Sequence, residues 1–392
     1  MNESVVKPGP KRGQQVGPNE DVVGGLLIRG PDANNPGAAL EALLNRLNAQ
    51  DLSSCVQTSS GIDAGGCFVR LTLAPAQLAA WAPGCDTLQL SNTLHLATGT
   101  KTSDLQREIV LTLLMGPEAF EFPGIDELVS AVRIRVNIVQ AARLTMLDFK
   151  TITAERPADC WAYREDCGFV RQPGVPLITA LIKATQPDVS GTVYSFSCYR
   201  ATEYVILLGM AQELAYCNPP LLDKLQERWA LQPIMSGQFH DVFLREQGSM
   251  DNPLPPFYFV PGDRVWFRNP DSASSEASGY EGSWVFYLGN GLFSNFWKRD
   301  QPFTLATKCL EIYHWRNALY RDAQGDERID ELKVEALVAA TAHEPTEAAR
   351  IQALMQRYRE PRGVYRDGGC LDTTREFVRW VCPGTTDIYL PD

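Results

Sequence analysis

Residues 191–209 read GTVYSFSCYRATEYVILLG. A Gly-Thr turn leads into a short β-prone run, one cysteine, and an apolar stretch at helical spacing. From Cys198 onward apolar residues fall at 201, 204, 205, 208 and 211, the repeat of a helix that buries one face. Ser195 or Ser197 can cap such a helix, which places Cys198 in its first turn. There the unpaired backbone N–H groups and the helix dipole favour a thiolate, and Arg200 adds positive charge. The same stretch also reads as an ordinary buried thiol, because cysteine is among the most buried residue types. Position alone leaves both readings open.

Working outward, FPGIDELVSAVRIRVNIVQAARLTMLDF (122–149) reads as one long helix with Asp126 able to cap it and apolar residues at 128, 132, 136, 138 and 139. LITALIKATQ and a segment near 219–230 read as further helices. FYFVPGDRVWFRNP reads as a strand, a Pro-Gly-Asp turn built on Asp263, and a second strand. SWVFYLGNGLFSNFW reads as a hairpin turning at Gly289-Asn290-Gly291. Residues from about 304 to 358 are mostly helical. Upstream, VVGGLLIRG, PGAALEALLNRLNAQ and CFVRLTLA give a β-α-β order. The expected organisation is a flexible tail (1–21), a small N-terminal α/β accessory domain (22–120), a catalytic domain (121–358) and an irregular C-terminal tail (359–392). The class is α+β.

Composition narrows the function. The chain has 392 residues, 44% of them hydrophobic, and no apolar run long enough to span a bilayer. Its net charge of −11 argues against a nucleic-acid or acidic-membrane surface, since phosphate binding needs clustered Lys and Arg. The polar N-terminus lacks the apolar core of a secretory signal, so the protein is expected to be cytoplasmic as made. Ten cysteines include three pairs close in sequence, Cys55/Cys67, Cys160/Cys167 and Cys370/Cys382. These spacings suit local disulfides and suit free buried thiols equally. Four scattered histidines and no paired-cysteine motif speak against a structural zinc site.

The order of helix-borne cysteine and following antiparallel strands resembles papain-like cysteine enzymes, and PGDRVWF followed by SWVFYLGNGLF resembles the sheet of the NlpC/P60 cell-wall peptidases. A histidine opens the second strand there, where this chain has Ser283 and Trp284. A closer resemblance is to the spore-coat type of bacterial protein-glutamine γ-glutamyltransferase, or transglutaminase. It runs through DELVSAVRIRVNIVQAARL (126–144), the FSC of SFSCYRATEYVIL, PGDRVWFRNPD (261–271), and GSWVFYLG with the following LFSN (282–295), and covers roughly residues 121–340. The resemblance implies that Cys198 attacks the γ-carboxamide of a glutamine side chain, that ammonia leaves, and that a lysine amine resolves the thioester into an isopeptide bond. No cofactor or metal is needed.

Three polar positions depart from that family's pattern. Ser197 precedes the cysteine where the family has Glu, Ser283 stands at the second catalytic Glu, and Asn295 stands in the place of the His. Asn295 can orient a partner but cannot take a proton. A base must therefore come from elsewhere. Glu281, two residues before Ser283, shares its strand face. His240, in GQFHDVFLREQ, is intrinsically the better base near neutral pH. Glu203 is expected to pair with Arg200 on the helix rather than to act in catalysis. The acceptor, amine or water, decides between crosslinking and deamidation, and the expected partners are proteins bearing glutamine and lysine or amine groups. The N-terminal unit suggests an exported effector with an inhibitory immunity-type partner. The alternatives are a cell-wall peptide amidase or peptidase, and a non-catalytic binding module.

Overall fold

The computed structural model describes residues 24–149, 154–234, 236–360 and 369–390. The expected N-terminal tail (1–21) and part of the C-terminal one lie outside them. The architecture is mixed α+β, with two principal sheets joined by two long packed helices. No helix among the described residues is long and apolar enough to cross a membrane.

The N-terminal sheet has the strand order Val56–Asp63, Gly66–Leu73, Gly25–Arg29, Ala119–Phe122. Its first and last strands in the chain run parallel, with Leu26 opposite Phe120. The expected helix forms over Pro36–Arg46, with Asn35 accepting from the Ala38 N–H at 3.1 Å and Pro36 in its first turn. The long helix forms over Ile125–Leu144. Asp126 does not cap it: that side chain pairs with Arg46 at the surface, and the cap comes from Asp32, whose carboxylate accepts the Ile125 N–H at 3.0 Å. A cap from 93 residues upstream leaves no local trace in the sequence.

This helix is buried on nearly every side and packs along the helix Cys198–Cys217. Gly209 marks the closest approach. A Cβ there would lie 2.9 Å from the backbone nitrogen of Ile138, so only glycine permits the crossing. One continuous hydrophobic core runs from Leu26 through both helices to Ile388.

The second sheet has six strands in the order Phe303–Thr304, Leu292–Phe293, Gly282–Gly289, Arg264–Arg268, Arg375–Val378, Leu244–Gln247, with antiparallel neighbours. Asn290 and Gly291 both have positive φ (54° and 69°), the tight hairpin expected of Gly-Asn-Gly. Glu108, buried on the helix Thr102–Leu114, accepts the Asn290 N–H at 3.0 Å and ties this hairpin to the N-terminal half.

Two expectations about this sheet are corrected. Residues 257–260 (FYFV) form no strand: the Phe259 N–H donates to Thr87 Oγ1 at 2.8 Å and the Tyr258 hydroxyl to the Thr112 carbonyl at 2.8 Å, so the segment docks on the N-terminal half. The C-terminal stretch is no irregular tail. Arg375–Val378 is an inner strand, and the Cys382 N–H and Thr385 hydroxyl beyond it donate to Glu127 on the long helix. Asp263 does build its turn, accepting from the Val260 N–H and from Arg135, each at 2.7 Å. A second core lies between the sheet and the helices Leu305–Trp315, Glu331–Ala342 and Pro345–Met355. All ten cysteines are thiols. Cys370 lies beside Cys309, Sγ to Sγ 3.6 Å, and Cys382 has Cys217 for a neighbour, so none of the sequence-adjacent pairs is bonded.

Candidate active site

The helix carrying Cys198 starts at that residue, and Ser197 is the N-cap, its hydroxyl accepting the Arg200 N–H at 3.3 Å. Three groups of contacts fix the approach. The Asp148 N–H donates to the Tyr194 carbonyl and the Phe196 N–H to the Asp148 carbonyl, both at 3.0 Å, which brings the segment after the long helix alongside the one before Cys198. Arg156 stacks over the Phe196 ring at 3.3 Å and donates to the Tyr204 hydroxyl at 3.1 Å. Tyr199 packs edge-on against Trp284 of the sheet, and Trp284 stacks on Trp266.

The backbone N–H groups of Trp284 and Tyr199 face the Cys198 sulfur and favour its thiolate. Burial raises the thiol above its ordinary pKa, and the Glu281 charge adds to the rise; the two N–H groups and the charge of Lys308 act the other way. Burial wins, so the resting group is a protonated thiol that must lose its proton to react.

Two cavities meet at this helix end. One, of about 430 Å³, reaches Cys198 between aromatic walls formed by Tyr280, Trp297, Phe303 and Trp315. The other, of about 550 Å³, is bounded by Ser197, Arg156, Arg200 and Glu281. Phe149 and Gly279 line both. Gly279 has φ +87°, and a Cβ on it would come within 2.3 Å of the Phe149 ring, so the glycine is what lets that ring stand between the cavities.

The residues expected from sequence divide accordingly. Cys198, Ser283 and Asn295 line the first cavity. Asn295 spends its amide on its own loop: Nδ2 donates to the Gln301 carbonyl at 3.0 Å, and Oδ1 accepts the Trp297 and Lys298 N–H groups at 3.2 and 3.1 Å. These contacts shape the cavity wall. Glu281 is exposed in the second cavity, close enough for its charge to act on the Cys198 sulfur. His240 is placed elsewhere. Its Nδ1 lies 2.9 Å from Glu376, which also pairs with the buried Arg264, and it borders a separate cavity with Glu118 and Glu246. Arg264 and the Trp284 ring, 4.5 Å apart, stand between that carboxylate and the Cys198 end. Glu203 pairs with Arg200 as expected.

Sequence reasoning missed Lys308. It lies on the helix Leu305–Trp315, is 3% exposed, and lines the Cys198 cavity. Its Nζ is 2.7 Å from Glu311 and 4.0 Å from the centre of the Phe303 ring. A signal was present: Lys308 shares the buried face of its helix with Leu305, Cys309 and Ile312, where a lysine is out of place.

The fold and this helix end define a mixed α+β protein that presents one cysteine to a cavity over an antiparallel sheet, with a second cavity beside it at Ser197. A family model described as protein-glutamine gamma-glutamyltransferase matches residues 87–368, well over half the chain, and the chain belongs to that family. A protein-glutamine gamma-glutamyltransferase of Halalkalibacterium halodurans is 24% identical over 215 residues, 54% of this chain and 70% of that protein. Among solved structures, a transglutaminase from Geobacillus stearothermophilus, without its C-terminal extension, aligns with a TM-score of 0.39 at 18% identity, over 55% of this chain and 98% of that one. Acyl transfer on protein glutamine is the class of reaction the family defines, and the cell-wall peptidase alternative is not favoured.

Proposed function

We propose that Cys198 is the nucleophile of a protein-glutamine acyl transfer and that Glu281 carries the proton. The carrying observation is the placement of Cys198: it is the first residue of a capped helix and lines a cavity that adjoins a second one at Ser197. The thiol proton passes to the Glu281 carboxylate as sulfur bonds to the glutamine carbonyl carbon. The oxyanion faces the N–H groups of the helix start. The C–N bond then breaks and the proton held by Glu281 leaves with nitrogen as ammonia. An amine or water attacks the thioester, the C–S bond breaks, and the displaced proton returns to sulfur through Glu281.

The two cavities suit the two halves of this cycle, one for the glutamine chain and one for the acceptor. In this reading the core is papain-like, with the cysteine helix laid on the sheet and the base at the edge of a following strand. The unit upstream of residue 121 serves as an accessory module, and an immunity-type inhibitor would act by covering the cavity mouths.

The test is incubation of wild type and Cys198→Ala with a glutamine-bearing casein and a biotinylated primary amine, followed by intact-mass analysis. Biotin incorporation lost in the variant is the expected result. A gain of about one mass unit per glutamine without biotin makes water the acceptor. Unchanged casein with both proteins overturns the proposal in favour of a non-catalytic binding module.

A further inference from the structure

Cysteine nucleophiles are commonly held reactive by a neighbouring histidine cation. Among the described residues that line either cavity at Cys198, none is a histidine. Two of the chain's four histidines have partners away from those cavities. His240 is held by Glu376, and His314 is held between Thr341 and Asn317 at 2.8 and 3.0 Å. Lys308 is instead buried in the wall of the cavity that opens on Cys198, and burying an ammonium costs several kcal/mol unless it is compensated. Its compensation is one carboxylate, Glu311, and one aromatic face, Phe303.

We propose that Lys308 is the counter-cation of the Cys198 sulfur, the positioned charge that takes the place of a histidinium in this site. The inference rests on Cys198 being the nucleophile. In the first half-reaction Lys308 keeps all its protons: the thiol proton goes to Glu281, the negative charge left on sulfur faces the ammonium, and the S–C bond forms as the carbonyl π pair moves to oxygen. The proton then leaves with nitrogen from Glu281. Glu311 holds the ammonium in place.

Several other charged and titratable groups surround the sulfur. Tyr199, Arg200 and Glu203 share its helix; Arg264 lies behind Trp284; Glu376 and His240 stand beyond Arg264; Glu281 precedes the strand Gly282–Gly289; Lys298 follows the hairpin; and Glu331 and Glu335 face the cavity from the helix Glu331–Ala342. Of these, Lys298 pairs with Glu335 at 2.5 Å and the Tyr280 hydroxyl donates to Glu331 at 2.8 Å. Lys308 is buried in the wall of the cavity that Cys198 lines, and its charge favours the thiolate.

The experiment is the pH dependence of Cys198 alkylation by isotope-labelled iodoacetamide, followed on the Cys198 peptide by mass spectrometry because nine other thiols are present. It is run on full-length wild type, Lys308→Gln and Lys308→Arg after their melting curves are compared. Gln retains a hydrogen bond to Glu311, and Arg retains the charge. The expected result is a rate for Lys308→Gln roughly tenfold lower at pH 8, equivalent to an upward displacement of the profile by about one pH unit, with Lys308→Arg close to wild type. Superimposable profiles for all three overturn the proposal, and so do equal displacements in both variants, which would mark a packing role. The readout needs no substrate, so it is separable from the nucleophile reading, which falls if Cys198→Ala retains transfer or if neither protein alters casein.

Discussion

His240 and Glu376 share a contact of 2.9 Å on the far side of Arg264 from Cys198. The hydrogen bond to Glu376 raises the His240 pKa, against a smaller opposing effect of burial, and the same contact and the Arg264 charge leave the Glu376 carboxylate below its usual range despite burial. For a group whose folded pKa is raised, the stabilisation is complete below the unfolded pKa and is lost as pH rises through the folded one. Stability should therefore fall as pH rises from just above 6.5 through the folded His240 pKa. The imidazole is about a third exposed, so screening keeps the effect modest. Thermal melts of wild type and His240→Asn between pH 5.5 and 8.5 should show that slope in the wild type and a flatter line in the variant, with casein transfer at pH 7 unchanged. Transfer lost in a folded His240→Asn would return this histidine to the list of candidate bases.

How much of this was legible in the sequence depends on the range of the interaction. Helix periodicity and the Asn290-Gly291 turn are local, and both long helices and the hairpin were read within a few residues. The strand Arg375–Val378 was missed because it is four residues long and carries Arg and Glu inward, where Glu376 meets Arg264 and Arg375 lies 4.1 Å from the Phe259 ring. Apolar alternation does not reveal a strand whose buried partners are charges. The helix start at Cys198 was legible because its cap, Ser197, directly precedes the cysteine and the apolar repeat begins there. The position of His240 was not, since a helix of eight residues and a partner 136 positions away decide which cavity it enters.

Glu281 has a charge effect on Cys198 and a second, opposed role in the proposed cycle, and one substitution separates them. Its negative charge raises the Cys198 pKa, so Glu281→Gln should make the thiol alkylate faster at a given pH. As the proposed proton carrier its loss should lower kcat for amine transfer by about 100-fold. Faster alkylation with slower transfer is the expected pair of results. Faster alkylation with undiminished transfer would assign the proton to another group.

At the crossing of the two long helices, Gly209 faces the Ile138 backbone, and the Asn137 side chain donates to the Gly209 carbonyl at 3.1 Å. Gly209→Ala gains helix propensity but must push the helices apart. Overpacking of this kind costs about 1–3 kcal/mol. Chemical denaturation should show a lower midpoint with an unchanged slope. A stabilised variant would mean that the crossing relaxes without strain.

Phe149 gives the sharpest handle on what the thioester meets. Its ring stands between the two cavities, 5.3 Å from Trp297 and 6.2 Å from Tyr280 by ring centroids, and Gly279 leaves room for it. Replacing it with alanine removes the partition and admits water between the walls, while the Cys198 helix start keeps its cap and both N–H donors. Thioester formation needs those donors, so the ammonia-release rate should stay within a few-fold of wild type. Partition between acceptors depends on excluding water from the acylated sulfur. Phe149→Ala should therefore shift product from amine-linked toward deamidated glutamine by roughly tenfold, since a change of about 1.4 kcal/mol in relative barriers suffices. Intact-mass analysis of casein at a fixed amine concentration reads both products in one spectrum. An unaltered ratio would show that the two cavities do not communicate through this ring during turnover.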